Sequence, residues 1–190
     1  MTQDPSGLAD NSKLPAWSII WPKLLLVFAG LVAYSNSFHG PFIFDDEPDI
    51  LNNPQIRGLW PLRDHIFAGK EGSRPLVNLS LILNHAISGY EVWSYHVFNL
   101  TVHLLAALLV FAVVRQTLLS ARLRGRFGQN AGGLALATAL LWELHPLQTE
   151  SVTYVIQLCE SMASLFYLST LYCLIRGRPA AAVLACALGM

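Results

Sequence analysis

Long apolar runs separated by short polar stretches dominate the pattern along this chain. A helix crosses the hydrocarbon core of a bilayer, roughly 30 Å thick, with about 20 mostly apolar residues. Four runs approach this length and predict membrane-spanning helices at residues 17–38, 96–114, 132–147 and 152–175. A fifth apolar run follows Pro179 and is only about half as long as a span needs to be. We therefore expect an all-α membrane protein, a polytopic helical bundle of four spans and a truncated fifth, belonging to a larger protein.

The composition agrees with a membrane protein. Of the 190 residues, 54% are hydrophobic and only 13% are charged, and the mean hydropathy is +0.46. The 12 basic residues balance the 12 acidic ones, so the chain lacks the basic excess of a nucleic-acid-binding protein. The three cysteines lie in apolar stretches without metal-ligand spacing, which predicts packing roles and neither disulfides nor a zinc site.

Eight basic residues near the ends of the predicted spans all fall on one side of the membrane if the N-terminus is cytoplasmic, and this bias predicts the orientation of the chain. These residues are Lys13, Lys23, Arg115, Arg122, Arg124, Arg126, Arg176 and Arg178. Residues 1–16 are then a cytoplasmic tail, and residues 176–190 are a cytoplasmic turn and the start of the fifth span. Residues 39–95, with seven acids and four bases, form a large external or lumenal loop. A cleaved signal peptide in place of the first span is the alternative, and it also leaves this loop outside.

Two short helices are predicted within the loop 39–95. Residues 59–67, LWPLRDHIF, have apolar side chains at helical spacing, which favours a short helix on the membrane surface. Ser73 can cap, and Pro75 can open, a second helix that ends at Gly89. This second helix is too short to span, so we expect an interfacial or re-entrant position.

The densest negative charge of the chain stands in the same loop, in the stretch FHGPFIFDDEP. Asp45, Asp46 and Glu47 are consecutive there. A carboxylate can act as general base toward a hydroxyl group, which contributes roughly 10²–10⁴-fold to a rate. Adjacent carboxylates raise each other's pKa, and they can also hold a divalent cation, Mg²⁺ or Mn²⁺. The alternative is a solvated flank that only helps to fix the membrane topology.

Polar residues also occur inside the predicted spans. His96, Asn99 and His103 share one face of the second span, where we expect hydrogen bonds between helices. Glu143 and Glu160 lie toward the external ends of the third and fourth spans. Acids within a membrane are candidates for function, although helix pairing is the alternative for each of them.

Three segments of the chain together resemble one protein family in their order and spacing. They are YSNSFHGPFIFDDEPDILNNPQIR, GSRPLVNLSLILNHAISGYEVWSYHVFNLTVHLLAALLVF and LLWELHPLQTESVTYVIQLCESMASLFYL, with the motifs FDDE, RPL…LN, YH.FN…HLL and HP..TE.V.Y. The family is that of the membrane O-mannosyltransferase-like proteins with C-terminal tetratricopeptide repeats, in the GT-C class of glycosyltransferases. The resemblance covers about residues 24–175.

This resemblance implies a GT-C-like membrane domain over residues 17–175. It also implies that Asp45 and Asp46 match the acidic pair holding the catalytic carboxylate, and that Glu47 extends this pair. Arg74 matches the arginine of the RPL motif, and a guanidinium can pair bidentately with the phosphate oxygens of a donor.

The same resemblance implies that His145 and Glu150 of the HP..TE motif support the site. We therefore expect the N-terminal part of an integral-membrane glycosyltransferase, in a bacterial inner membrane or the endoplasmic reticulum. It would transfer a mannose-type sugar from a polyprenyl-phosphate donor to a protein or glycan hydroxyl on the external or lumenal face. Two alternatives are a non-catalytic membrane scaffold that anchors a repeat domain and a polytopic carrier subunit.

Overall fold

The computed structural model describes residues 17–58, 60–67 and 74–190, and every regular element within these ranges is helical. The predictions for the tail at residues 1–16, for Leu59 and for a cap at Ser73 concern residues outside this description.

Nine α-helices occur in the described part of the chain. In order they are α1 Trp17–Ala33, α2 Leu62–Ile66, α3 Pro75–Ser88, α4 Trp93–Leu118, α5 Arg124–Phe127, α6 Ala131–Glu143, α7 Thr149–Thr153, α8 Leu158–Ile175 and α9 Pro179–Leu188. Short 3₁₀ turns lie at Ser37–His39, Pro54–Arg57, Gly128–Asn130, Pro146–Gln148 and Val155–Gln157, and a π-helical turn lies at Glu47–Leu51.

Within the described ranges, two helical stretches are long and apolar enough to cross a membrane. They are α4 and the stretch Val155–Ile175, most of which is α8, and they correspond to the second and fourth predicted spans. The first and third predicted spans correspond to α1, with 17 residues, and α6, with 13. A helix the length of α6 rises only about 20 Å. Four spans and a truncated fifth therefore stay a prediction.

Helix α4 is the central element, because α1, α6, α7 and α8 all pack on it. Small side chains permit this close packing: Ala106 and Ala107 of α4 and Ala135 and Ala139 of α6 are all buried. Leu26 of α1 is fully buried in the same cluster. The bundle thus places α4 where it can contact both the loop 39–95 and the end of the α7–α8 segment.

The loop between α1 and α4 folds around a hydrophobic core of its own. The buried members of this core are Ile50, Ile56, Val77, Leu81, Ile82, Tyr95, Val155 and Ile156. Helix α3 supplies three of them, so it is a packed element of the protein as well as a short apolar helix. Because Val155 and Ile156 lie between α7 and α8, this core fixes the loop to the α7–α8 segment.

The structure differs from the prediction of one continuous helix over residues 152–175. Helix α7 ends at Thr153, and Tyr154 is extended, with φ −103° and ψ 113°. A 3₁₀ turn at Val155–Gln157 then leads into α8. At the break between α7 and α8, the N–H of Ile156 and the carbonyls of Tyr154 and Val155 have no partner within a helix. The N–H bonds to Asp46 and the carbonyls bond to Asn99.

Candidate functional site

The side chain of Asp46 anchors the acidic turn to the rest of the protein. Its Oδ2 accepts a hydrogen bond from the N–H of Ile43 at 3.1 Å, within the turn. Its Oδ1 accepts one from the N–H of Ile156 at 2.8 Å, across the bundle. The Asp46 side chain is fully buried. One carboxylate therefore closes the turn and fastens it to the helix break.

Asp45 has the opposite environment, although it is the adjacent residue. Its side chain is exposed, and its backbone N–H donates to the hydroxyl of Tyr154 at 2.9 Å. Phe44, just before it, has a φ of +48°, which non-glycine residues rarely adopt. The Phe44 ring meets that of Tyr154 edge-on, with the centroids 6.3 Å apart. The turn thus buries Asp46 and presents Asp45 to solvent.

Glu47 is also exposed, and it begins the π-helical turn Glu47–Leu51. Of the three consecutive acids, the structure thus leaves Asp45 and Glu47 accessible to a substrate.

Asn99 of α4 fixes the helix break from its other side. Its Nδ2 donates to the carbonyls of Tyr154 at 3.3 Å and Val155 at 3.2 Å. Asn99 is fully buried, and hydrogen bonds of this kind satisfy carbonyls that a broken helix leaves free. The acidic turn, the helix break and α4 therefore form one connected unit.

Burial raises the pKa of the Asp46 carboxyl above its ordinary value of 3.8. The N–H groups of Ile43, Ile156 and Val155, together with His96, act in the opposite direction but do not cancel this effect. His96 is itself buried in α4, and its Nε2 lies 3.1 Å from the carbonyl oxygen of Gly40. Burial is thus the largest influence on the pKa of Asp46, and the hydrogen bonds are smaller ones.

Arg74 contacts the start of α8, a few residues after the helix break. Its Nη2 lies 3.6 Å from Oε1 of Glu160, in the first turn of α8, and both side chains are partly or largely exposed. An exposed ion pair of this kind contributes about 0–1 kcal/mol. An anion of higher charge can therefore displace Glu160 from Arg74 at little energetic cost.

A cavity of about 140 Å³ opens beside Arg74, between the start of α3, α8 and the end of α9. Apart from Arg74 its lining is mostly apolar, with Pro75, Leu76, Met162, Phe166 and Leu188 among the contributors. The cavity therefore combines a cationic group at one side with a hydrocarbon-compatible wall.

The structure places His145 and Glu150 on the same helical hairpin as the break. Both side chains are exposed. His145 Nδ1 accepts the N–H of Leu147 at 3.2 Å and so caps the short turn Pro146–Gln148. Glu150 accepts the N–H of Tyr154 through its backbone carbonyl. The contacts of His145 and of the Glu150 backbone are structural.

The pair Asp45 and Asp46 does not fit a divalent cation in this arrangement. Both oxygens of Asp46 accept backbone N–H groups, which leaves Asp45 to face solvent without a second carboxylate from this pair. Within the described ranges, no three histidine, cysteine or acidic residues come together as metal ligands.

Of the three polar residues on this face of α4, His103 forms the expected hydrogen bond to another helix, α6. His103 Nε2 lies 3.1 Å from the carbonyl oxygen of Glu143, and the Tyr34 hydroxyl donates to the same oxygen at 2.9 Å. The Glu143 carboxyl is fully buried near Gly30, and neither of its oxygens has a hydrogen-bond partner within the described part of the chain.

Sequence reasoning did not single out Tyr154 or the backbone of Ile156 as parts of the site. Tyr154 stood in the motif HP..TE.V.Y, but nothing in the pattern showed that a helix would break there and expose its hydroxyl to the turn. Asn99 was predicted to bond between helices, and its actual partners are the two carbonyls at this break.

Comparison with known proteins finds relatives in several animals. The chain is 33% identical over 156 residues to the mouse (Mus musculus) protein named Protein O-mannosyl-transferase TMTC1, covering 76% of this chain and 16% of the relative. It is 31% identical over 180 residues to human (Homo sapiens) Protein O-mannosyl-transferase TMTC4, covering 87% and 24%. It is 32% identical over 148 residues to Protein O-mannosyl-transferase Tmtc1 of Drosophila melanogaster, covering 72% and 16%.

The chain thus spans between about a sixth and a quarter of the length of these curated relatives. No model of a protein family matches the chain. No solved structure matches it significantly.

Proposed function

Over most of its length this chain is a homologue of the membrane O-mannosyltransferase-like proteins, and on that premise we propose that it is the N-terminal part of an integral-membrane glycosyltransferase. The sugar is of mannose type, the donor is a polyprenyl phosphate, and the acceptor is a hydroxyl of a protein or glycan. The loop 39–95 faces the external or lumenal side, and the N-terminus is cytoplasmic.

One observation carries this proposal: the exposed carboxylate of Asp45 lies on a turn that is hydrogen-bonded to residues 154–156, and Arg74 contacts the start of α8, which follows directly. Asp46 and Tyr154 hold the turn at residues 154–156, and Arg74 contacts Glu160 only a few residues later. A base for the acceptor and a cation for the departing phosphate therefore converge on one stretch of chain.

In the proposed reaction Asp45 takes the proton of the acceptor hydroxyl. The acceptor oxygen forms a bond to the anomeric carbon, and the bond from that carbon to the phosphate oxygen breaks. The bonding electron pair leaves with the polyprenyl phosphate, whose growing negative charge Arg74 stabilises through charge-assisted hydrogen bonds. Transfer is inverting, because one displacement joins the sugar to the acceptor.

The cavity beside Arg74 supports a lipid-linked donor. Its apolar lining of Leu76, Met162, Phe166 and neighbours suits a hydrocarbon chain, while Arg74 suits the phosphate to which that chain is attached. A nucleotide sugar would bring a polar base and ribose to the same wall, and this wall offers little to bind them.

The other acidic and polar candidates have supporting parts in this proposal. Asp46 acts through its two backbone hydrogen bonds and positions the turn. Glu47 adds negative charge beside Asp45, His145 caps the turn Pro146–Gln148, and Glu150 bonds Tyr154 through its backbone carbonyl. No step needs a metal ion.

The test is a transfer assay with the purified gene product that carries this chain, reconstituted in liposomes. Radiolabelled mannose is supplied either on polyprenyl phosphate or on a nucleotide, with a serine- and threonine-containing peptide as acceptor. We expect label in the peptide from the lipid-linked donor only. Transfer from the nucleotide alone would contradict the proposed donor, and no transfer from either would favour the membrane scaffold.

A further inference from the structure

We propose that Tyr154 is a positioning residue, whose hydroxyl sets the place of the Asp45 carboxylate by holding the backbone N–H of Asp45. This inference rests on the proposed function for its catalytic consequence. The contact itself, 2.9 Å between the Asp45 nitrogen and the Tyr154 hydroxyl oxygen, is a feature of the fold and can be tested without any transfer reaction.

The turn that carries Asp45 needs external support. Phe44 has the positive φ of +48°, and a non-glycine residue keeps such a conformation only where the surroundings fix it. The carboxylate of Asp46 supplies two bonds, to the N–H groups of Ile43 and Ile156. Both act one residue away from Asp45, whereas the Tyr154 hydroxyl contacts the backbone of Asp45 directly.

Tyr154 can do this because its own backbone is held in place. It is extended between α7 and α8, its N–H donates to the carbonyl of Glu150, and its carbonyl accepts from Asn99 of α4. The ring lies edge-on to that of Phe44. The hydroxyl position is therefore fixed relative to the central helix of the bundle, and through it the position of Asp45 is fixed as well.

The first experiment measures the turn by chemical labelling. Ile50→Cys is introduced into the gene product that carries this chain, because Ile50 is fully buried in the turn that follows Asp46 and a thiol there can react only when the turn opens. The thiol is reacted with a charged, membrane-impermeant maleimide, and the rate is compared with that of the double variant Ile50→Cys, Tyr154→Phe. Loss of one hydrogen bond should raise the labelling rate about threefold to tenfold, because the turn opens more often. Labelling of the parent protein gives the background from its native cysteines.

The second experiment measures transfer by the single variant Tyr154→Phe, which keeps Asp45. We expect kcat to fall about tenfold while KM for the lipid-linked donor stays unchanged, because Tyr154 contacts the turn and not the cavity beside Arg74. The matched control is Tyr167→Phe, since Tyr167 is exposed on α8 and far along that helix from the break. It should change neither labelling nor kcat.

The outcomes separate this inference from the proposed function. Faster labelling together with a lower kcat supports the positioning role. Unchanged labelling overturns it whatever the transfer assay shows, and so does an unchanged kcat in Tyr154→Phe. If the parent transfers nothing while labelling still responds to Tyr154→Phe, the contact is upheld and the proposed function is what fails.

Discussion

Asp46 and Ile156 lie 110 residues apart in sequence and are joined by a hydrogen bond, 2.8 Å from the Ile156 nitrogen to Oδ1 of Asp46. This bond connects the acidic turn, which follows the first helix, to the break between α7 and α8. Because the same break is held by Asn99 of α4, the position of the turn depends on the packing of the bundle. The position of the exposed Asp45 carboxylate therefore depends on this packing as well.

The anchoring role of Asp46 predicts a loss of stability in Asp46→Asn. An amide can present only one oxygen, so its NH₂ group would face one of the two N–H donors now bonded to the carboxylate. Leaving a buried donor unpaired costs about 1–3 kcal/mol, and thermal unfolding of the purified protein in detergent would measure it as a lower Tm.

The control for this substitution is Asp64→Asn in α2, where the side chain is exposed. It should leave Tm within error of the parent. An equal Tm for Asp46→Asn and the parent would show that the carboxylate does not anchor the turn.

The raised pKa of Asp46 predicts a particular pH dependence. Because burial raises the folded-state pKa above 3.8, the folded protein holds this proton more tightly than the unfolded chain. The proton on Asp46 therefore stabilises the folded protein fully when the pH is below the pKa of the unfolded chain. This stabilisation is lost as the pH rises through the pKa of the folded protein. The difference in Tm between the parent and Asp46→Asn should therefore shrink as the pH is raised from about 4.

Asp46→Asn serves as the reference here because its side chain does not titrate in this range. A difference in Tm that grows with pH would mean that the hydrogen bonds from Ile43 and Ile156 outweigh burial, and it would contradict the expected sign.

Asn99 is expected to stabilise the break between α7 and α8. Asn99→Leu keeps a similar volume but leaves the carbonyls of Tyr154 and Val155 without this donor, so we expect a loss of about 1–3 kcal/mol. Thr101→Val on the exposed side of α4 is the control, because its hydroxyl only bonds back to Val97 in the same helix. Thermal unfolding in detergent compares the two variants, and equal stability would show that Asn99 does not stabilise the break.

Arg74 is expected to act on the donor and hardly at all on stability. Removing a charge-assisted hydrogen bond in Arg74→Gln should lower kcat/KM for the lipid-linked donor about tenfold to a hundredfold. Its exposed contact with Glu160 contributes little, so Tm should stay the same. Arg63→Gln, an exposed arginine of α2, is the control. Equal kcat/KM values for the two variants would remove Arg74 from the site.

Periodicity and composition were sufficient to predict a substantial part of this fold. The apolar run after Tyr95 predicted α4, and the Pro75 and Gly89 signals predicted α3 nearly to its ends. The face formed by His96, Asn99 and His103 was predicted to bond between helices; His103 does so, to α6, whereas His96 bonds to the loop at Gly40 and Asn99 to the break between α7 and α8. These features depend on local sequence, which is why the pattern contains them.

The break at Tyr154 could not be predicted in this way. No proline or glycine marks it, and the residues around it continue an apolar pattern that is typical of a helix. The break is stabilised by partners distant in sequence, Asp46 and Asn99, so it follows from tertiary contacts.

The different environments of Asp45 and Asp46 could not be predicted from the sequence either. The pattern showed three adjacent acids and gave no reason to separate them. Their separation accompanies the positive φ of Phe44 and the two backbone N–H groups that hold Asp46 inside, so that Asp45 faces solvent and Asp46 is buried. A non-glycine residue gives no signal of such a conformation.

The most direct test of the central claim is to measure transfer and stability on one preparation of Asp45→Asn. If Asp45 is the exposed base on a turn that Asp46 holds, kcat from the lipid-linked donor should fall about 10²-fold or more, while Tm equals that of the parent. Transfer at the parent rate by a folded Asp45→Asn protein would contradict the account, because the exposed carboxylate that is proposed as the base would then have no part in the reaction.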